Sequence, residues 1–221
     1  MAQRRIPAVF MRGGTSKGLI FHARDLPPPG ADRDAVLLAA MGSPDPFRRQ
    51  LDGMGGGASS LSKVCIVGPP THPQADVDYT FGQVGIELGL VDYGGNCGNM
   101  SSAIGPFAVE EGLVPAPADG EAVIRIHNTN TGKLITARFP VRDGLPVTTG
   151  DFALDGVAGT AAQVRLDFLA PGGSKTGALL PTGHAADRID LPGLGPVEVS
   201  LVDAANPMVF ISAQSLGLTG T

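Results

Sequence analysis

The sequence predicts an α+β protein that is mostly strand and turn, organised around one strongly apolar helix. Glycine and proline number 32 and 19. They fall between short apolar runs with no collagen-like period, the texture of a turn-rich β protein. Against that background Met100–Glu111 (MSSAIGPFAVEE) keeps helical spacing, and Gly112 follows it as the stop signal expected just past a helix end. Aromatic residues make up 5% and Trp is absent, so the core must come from Val, Leu, Ile and Ala. The 221 residues suit one large domain or two small ones.

In chain order, Ile6–Met11 and Leu19–His22 read as strands joined across the polar stretch 13–18 (GGTSKG). Ala31–Met41 has helical periodicity, with acids early and Gly42 after it. Val64–Val67 reads as a strand, and Asp76–Glu87 as a long one with Gly82 or Gly85 as candidate breaks. Next come the turn at Cys97 and the apolar helix. Ala122–His127 and Leu134–Phe139 read as paired strands joined by Asn128–Gly132. Further on, Gln163–Leu169, Val197–Val202 and Met208–Ala213 are strand-like, with Asp203–Pro207 as a turn. Strand, small-residue turn and strand at 197–213 echo the pattern at 6–22. Residues 1–160 are therefore expected to form one domain and 161–221 the start of a related second one. No second central helix is visible before Thr221. The second domain is expected to be incomplete, the chain being either a fragment or completed by a partner chain.

Charge and cysteine usage exclude several classes. The net charge is −5, and no basic stripe or cation–aromatic alternation is present, which argues against nucleic acid as a partner. No apolar run approaches the roughly 18 residues of a membrane span. The N-terminus (MAQRRIPAVFMRGG) lacks a long apolar segment and a small-residue cleavage site. Two widely spaced cysteines, Cys65 and Cys97, point to a reducing cytoplasm. Neither they nor His22, His72, His127 and His184 show metal-ligand spacing. No metal or cofactor is expected.

Chemistry concentrates in three polar clusters. The thiol of Cys97 sits where a helix should begin, between Asn96 and Gly98-Asn99. Helix N-termini present unpartnered N–H groups and the positive end of the macrodipole, which favour a thiolate and can hold a carboxylate. The alternative is a small apolar residue in a Gly-rich turn. A second cluster, Arg12–Gly18 (RGGTSKG), lacks the full phosphate-loop pattern. It still offers Arg12, Thr15 and Ser16 to an anion. In the third, Ser60-x-x-Lys63 matches a four-letter acyl-transfer pattern, but strand rather than helix follows it. Lys63 enters the apolar run Val64–Val67. A lysine desolvated at the edge of a buried strand can serve as a neutral amine base, or simply snorkel to water.

As a set these stretches resemble the PrpF family. The resemblance lies in Met11–Gly18 (MRGGTSKG), Gly42–Pro46 (GSPDP), Leu51–Gly56 (LDGMGG) with Ser62-Lys63-Val64, and Asp76–Tyr79 (DVDY) with Gly82–Val84 (GQV). Gly95–Asn99 (GNCGN) with Gly105–Ala108 (GPFA) carries it further, as do Gly150–Phe152, Pro181–Gly183 and Leu216–Gly220. It implies a diaminopimelate epimerase-like fold, in which each of two domains wraps a curved β-sheet around a central helix. It further implies that Lys63 and Cys97 shuttle protons and that Asn206-Pro207 belongs to a polar loop of the second domain.

The expected activity is a cofactor-independent 1,3 allylic proton shift on a small unsaturated di- or tricarboxylate, such as 2-methylaconitate or 4-oxalomesaconate. Lys63 is the expected base. Alternatively, protonated Lys63 supports Cys97 as the base. Arg12, Thr15, Ser16, Ser60, Asn96, Gly98, Asn99 and Asn206 are the expected substrate contacts. Two other classes stay open: an epimerase on the same fold, and a non-catalytic anion-binding remnant. The expected partners are the substrate and either a second copy or a complementing C-terminal chain.

Overall fold

The computed structural model describes residues 3–220. The chain opens with strands β1 (Val9–Gly13) and β2 (Ser16–His22), then helix α1 (Ala31–Met41). Strands β3 (Lys63–Gly68), β4 (Val77–Val84) and β5 (Val91–Asp92) lead into helix α2 (Gly98–Glu110). After it come β6 (Gly120–Asn128), β7 (Lys133–Arg142), β8 (Leu145–Pro146), β9 (Phe152–Ala153), β10 (Thr160–Ala161) and β11 (Arg165–Phe168). The last strands are β12 (Asp187–Leu191), β13 (Gly195–Ala204) and β14 (Asn206–Ile211). Two compact units result. The first runs to Asn130 and includes Leu134–Asp167; the second holds Thr131–Lys133 and the residues from Phe168 on.

In the first unit the strand path is β1-β2-β3-β4-β6-β7-β11, with β5 on β4 and β8 on β7. Successive side chains of a strand point to opposite faces, and both faces of this sheet are covered. Val64 and Ile66 of β3 cluster with Leu19 and Phe21 of β2 and with Leu37 and Met41 of α1. Lys63, Cys65 and Val67 therefore point the other way. So do their register partners Gly18, Ile20 and His22 on β2, and Gln83, Phe81 and Tyr79 on β4. That second face belongs to α2, which is buried almost all round from Met100 to Val109. A helix apolar on every side needs cover on every side. It packs on β1, β2, β3, β6 and β8, strands that lie towards both ends of the path, so the sheet curls around it. This is the diaminopimelate epimerase-like arrangement.

The direction of α2 follows from its two ends. At its start, the β1–β2 turn is bound to Asn99, whose Oδ1 accepts from the N–H of Thr15 at 3.3 Å and whose Nδ2 donates to Oγ1 of Thr15 at 3.1 Å. Past its end, Nε2 of His22 lies 3.0 Å from Oε2 of Glu111, and the His22 ring stands 5.2 Å from that of Phe107. The helix therefore runs parallel to β2 and β3. Its 13 residues span about 20 Å, close to the roughly 23 Å of the seven residues of β2. Lys63, the first residue of β3, pairs with Gly18, so it lies level with the N-terminal half of α2.

Several sequence expectations need correction. The stretch 13–18 is no loop: β1 and β2 run on in register through Arg12↔Lys17 and Gly13↔Ser16. Only Gly14 and Thr15 turn, and Gly14 takes the left-handed φ of 54° that such a turn requires. The long strand stops at Val84, before Gly85 rather than at Gly82. Asp203–Pro207 is not a turn either, because β13 and β14 pair down to Ala204↔Asn206 around the single residue Ala205. Strand β12 was not foreseen.

The second unit contains the three-stranded sheet β12-β13-β14. Its most buried polar group is Asp203, at 0% exposure. The carboxylate accepts from Oγ of Ser174 at 2.7 Å, the N–H of Lys175 at 2.7 Å, and the N–H and Oγ1 of Thr176 at 2.8 and 3.0 Å. Burial works against its charge, but these N–H and hydroxyl donors outweigh it and hold the carboxyl well below the usual range. Among the described residues no helix is long and apolar enough to cross a membrane.

Candidate active site

Cys97 is the N-cap of α2, with extended φ and ψ of −113° and 104°, and its own side chain makes no capping hydrogen bond. The N–H of Ser101 reaches the carbonyl of Cys97 at 2.9 Å. The N–H groups of Gly98, Asn99 and Met100 precede that bond and have no partner within the helix. The half-buried Cys97 thiol is free. Oγ of Ser101, 2.9 Å from the Cys97 carbonyl and 3.3 Å from Oδ1 of Asn96, braces the turn from below.

Lys63 arrives from the sheet. It is 7% exposed, and no carboxylate pairs with it among the described residues. Its Nζ donates to Oε1 of Gln83 at 2.6 Å and lies 5.1 Å from the centre of the Phe81 ring. On the same face of β3 sits Cys65, fully buried, with its Sγ 3.9 Å from the hydroxyl of Tyr79. Burial pushes the Cys65 thiol far up. The Tyr79 hydrogen bond and the Lys63 charge act against this, and the charge of Cys97 adds to it. Tyr79 is likewise pushed up by burial, and beyond that by Cys65 and Cys97, while Ser101 offers its hydroxyl a hydrogen bond. Lys63 and Cys97 are thus both electrostatic neighbours of Cys65. Lys63 enters from β3 on the sheet face that α2 covers, and Cys97 stands at the start of α2.

The β1–β2 hairpin closes one side. Ser16 is buried at 3% exposure, and Thr15 is fixed to Asn99 as described. Arg12 reaches across its own turn to the Gly14 carbonyl at 2.8 Å. It lines a cavity of about 260 Å³ with Asn99, Ser102 and the β9–β10 segment. Ser60 is exposed on a short 3-10 turn, Ser59–Leu61, ahead of β3. Asn206 belongs to the second unit, at the first position of β14. The first unit therefore brings Thr15 and Arg12 to Asn99 at the start of α2, while Ser16 and Lys63 lie on β2 and β3, two of the strands that α2 packs against.

Sequence reading missed Gln83 and Tyr79. Gln83 had a local signal, a lone amide on a strand face otherwise formed by Val77, Tyr79 and Phe81. Tyr79 had only its place in the Asp76–Tyr79 stretch that carries the family resemblance.

Among solved structures, a methylitaconate-delta-isomerase superposes with a TM-score of 0.81 at 48% identity, covering 99% of this chain and 56% of that one. A probable proline racemase from Agrobacterium radiobacter shares the fold at a TM-score of 0.56 and 19% identity, covering 97% of this chain and 54% of that one. Among curated relatives, a 2-methyl-aconitate isomerase from Cupriavidus necator is 47% identical over 99% of this chain and 58% of its own length. A 3-methylitaconate isomerase from Eubacterium barkeri is 48% identical over 99% and 57%. A 4-oxalomesaconate tautomerase from Pseudomonas putida is 47% identical over 100% and 59%. The chain thus spans under two thirds of the length of the curated relatives it matches. A family model described as PrpF protein matches residues 3–221, and the chain belongs to the PrpF family.

Proposed function

We propose that the protein is a cytoplasmic isomerase that moves a proton between the two ends of an allylic system in a small unsaturated di- or tricarboxylate. The observation that carries this reading is that Lys63 stands buried without a carboxylate partner among the described residues, on the sheet face that α2 covers, while the free thiol of Cys97 stands at the start of that helix. Named isomerases and tautomerases of small unsaturated acids, similar over nearly the whole chain, support it.

The substrate carboxylate rests on the N–H groups of Gly98 and Asn99, with Ser16, Thr15 and Asn96 completing the polar rim. The macrodipole of α2 favours negative charge there. Arg12 offsets a second carboxylate. The neutral amine of Lys63 takes a proton from the carbon next to the conjugated alkene. The C–H electron pair becomes part of a dienolate whose charge spreads onto the carboxylate oxygens, and donors already in place stabilise it. A proton then returns at the far end of the allylic system, delivered by the Lys63 ammonium or the Cys97 thiol, and the double bond moves. No electrons leave the substrate, so the balance requires no redox partner.

Incubation of the protein with 2-methylaconitate and 4-oxalomesaconate in deuterated water, followed by proton NMR, tests the reading. Deuterium at an allylic carbon together with a shifted double bond is expected. Deuterium at a stereocentre of a saturated acid, with no allylic label, would make the protein an epimerase. No exchange into any unsaturated acid would reduce it to an anion-binding module.

A further inference from the structure

We propose that Gln83 is the positioning residue of Lys63, holding the amine nitrogen on the sheet face that α2 covers without fixing its charge. The proposal rests on the reading of Lys63 as the proton-transfer group. A primary amide has two N–H donors and one oxygen. Nε2 of Gln83 spends both donors, on the carbonyls of Ser59 at 3.1 Å and Ser62 at 2.9 Å. Its oxygen is thereby turned towards Lys63, 2.6 Å from Nζ. Flipping the amide would set the oxygen against two carbonyl oxygens and the NH2 against the amine, so one orientation is enforced. The two residues are direct partners in the β3–β4 register, which keeps the contact short through backbone pairing.

The choice of an amide matters. A carboxylate at this position would stabilise the ammonium and oppose its deprotonation. An amide oxygen accepts an N–H from the ammonium and from the neutral amine alike, so the bond survives loss of the proton. The groups facing Lys63 from the surrounding elements fit this role. On β4, Phe81 presents its ring. On β3 and at the start of α2 stand Cys65 and Cys97. On β5, Asp92 is the register partner of Gln83, but its Oδ1 accepts from the N–H of Gly94 at 2.7 Å. The β2 partner, Gly18, brings no side chain. The carbonyls that hold Gln83 also flank Ser60, so one side chain ties the serine turn to the amine.

Competitive acetylation tests the proposal without substrate. Acetic anhydride is allowed to react with Lys63 and Lys17 across a pH series, and modification of each is read by peptide mass spectrometry. In Gln83→Glu the pH midpoint for Lys63 is expected to rise by about one unit or more, with Lys17 unchanged. A rise at both lysines, or at neither, overturns the proposal. Gln83→Met removes the acceptor without adding charge and covers the case in which the Glu variant fails to fold. There, acetylation of Lys63 above its midpoint is expected to quicken severalfold as the nitrogen is released, and an unchanged rate overturns the proposal. Turnover is scored separately. A shifted Lys63 midpoint in a protein that moves no allylic proton would leave Gln83 assigned and remove the isomerase reading.

Discussion

Gly13 lies against Asn99 so closely that a Cβ on the glycine would sit 2.6 Å from the asparagine carbonyl oxygen and 2.8 Å from Cα of Met100. Both obstacles are backbone, so neither can swing away. The β1–β2 hairpin is seated on the first turn of α2 by this contact and by the paired Thr15–Asn99 hydrogen bonds. Gly13→Ala is expected to cost about 1–3 kcal/mol, read as a fall in the urea midpoint. Activity should fall further than stability, because the displaced turn presents Cys97. An alanine variant as stable as the parent would show that the hairpin is not seated there.

The two thiols should differ sharply. Cys65 is fully buried and its thiol is pushed up by burial, whereas Cys97 is half-buried at a helix start. Since the thiolate is the reactive form, iodoacetamide should modify Cys97 in the native protein and Cys65 only in denaturant. Peptide mapping by mass spectrometry reads the result. Native modification of Cys65 would contradict the described core.

Acid stability of the second unit should depend on Asp203. Its folded pKa is depressed by the donors of Ser174, Lys175 and Thr176 despite burial. The stabilisation is therefore complete above the ordinary carboxylate value of about 4, and it is lost as pH falls from there through the lower folded value. Unfolding curves between about pH 6 and pH 2 should show stability falling towards the acid end. Asp203→Asn should lower stability at neutral pH and flatten that fall. A variant with the parent slope would assign the acid dependence elsewhere.

His22 fixes the far end of α2 through Glu111 and Phe107. His22→Ala removes a buried ring and its polar contact, and is expected to cost about 1–3 kcal/mol in thermal or urea unfolding. If the helix direction sets the level of Lys63 and Cys97, turnover should drop as well. Unchanged turnover at reduced stability would confine His22 to the fold.

Local chemistry made the helices legible. Ala31–Met41 carries acids in its first turn and ends on Gly42 with a left-handed φ of 72°, and its bounds follow directly from those signals. The central helix was readable from its apolar run and Gly112, with its true start moved back to Gly98. Cross-strand pairing was not legible. Arg12, Ser16, Lys17, Asp203 and Asn206 are polar and read as loop, yet their backbones are held in register by partner strands. Strand β12, with Asp187, Arg188 and Asp190, was hidden for the same reason. The site divides along the same line: Lys63 and Cys97 stand out in local motifs, whereas the tie from Gln83 to Lys63 exists only once β3 and β4 are paired.

Lys63 is proposed as the base, acting on an anion held by the N-terminal turn of α2. Deuterium uptake at the allylic carbon, followed by NMR for the parent, Lys63→Ala and Cys97→Ala, tests it most directly. Lys63→Ala is expected to lose uptake by about a hundredfold or more, while Cys97→Ala retains measurable first-proton exchange. Near-normal uptake in Lys63→Ala, with loss confined to Cys97→Ala, would contradict it.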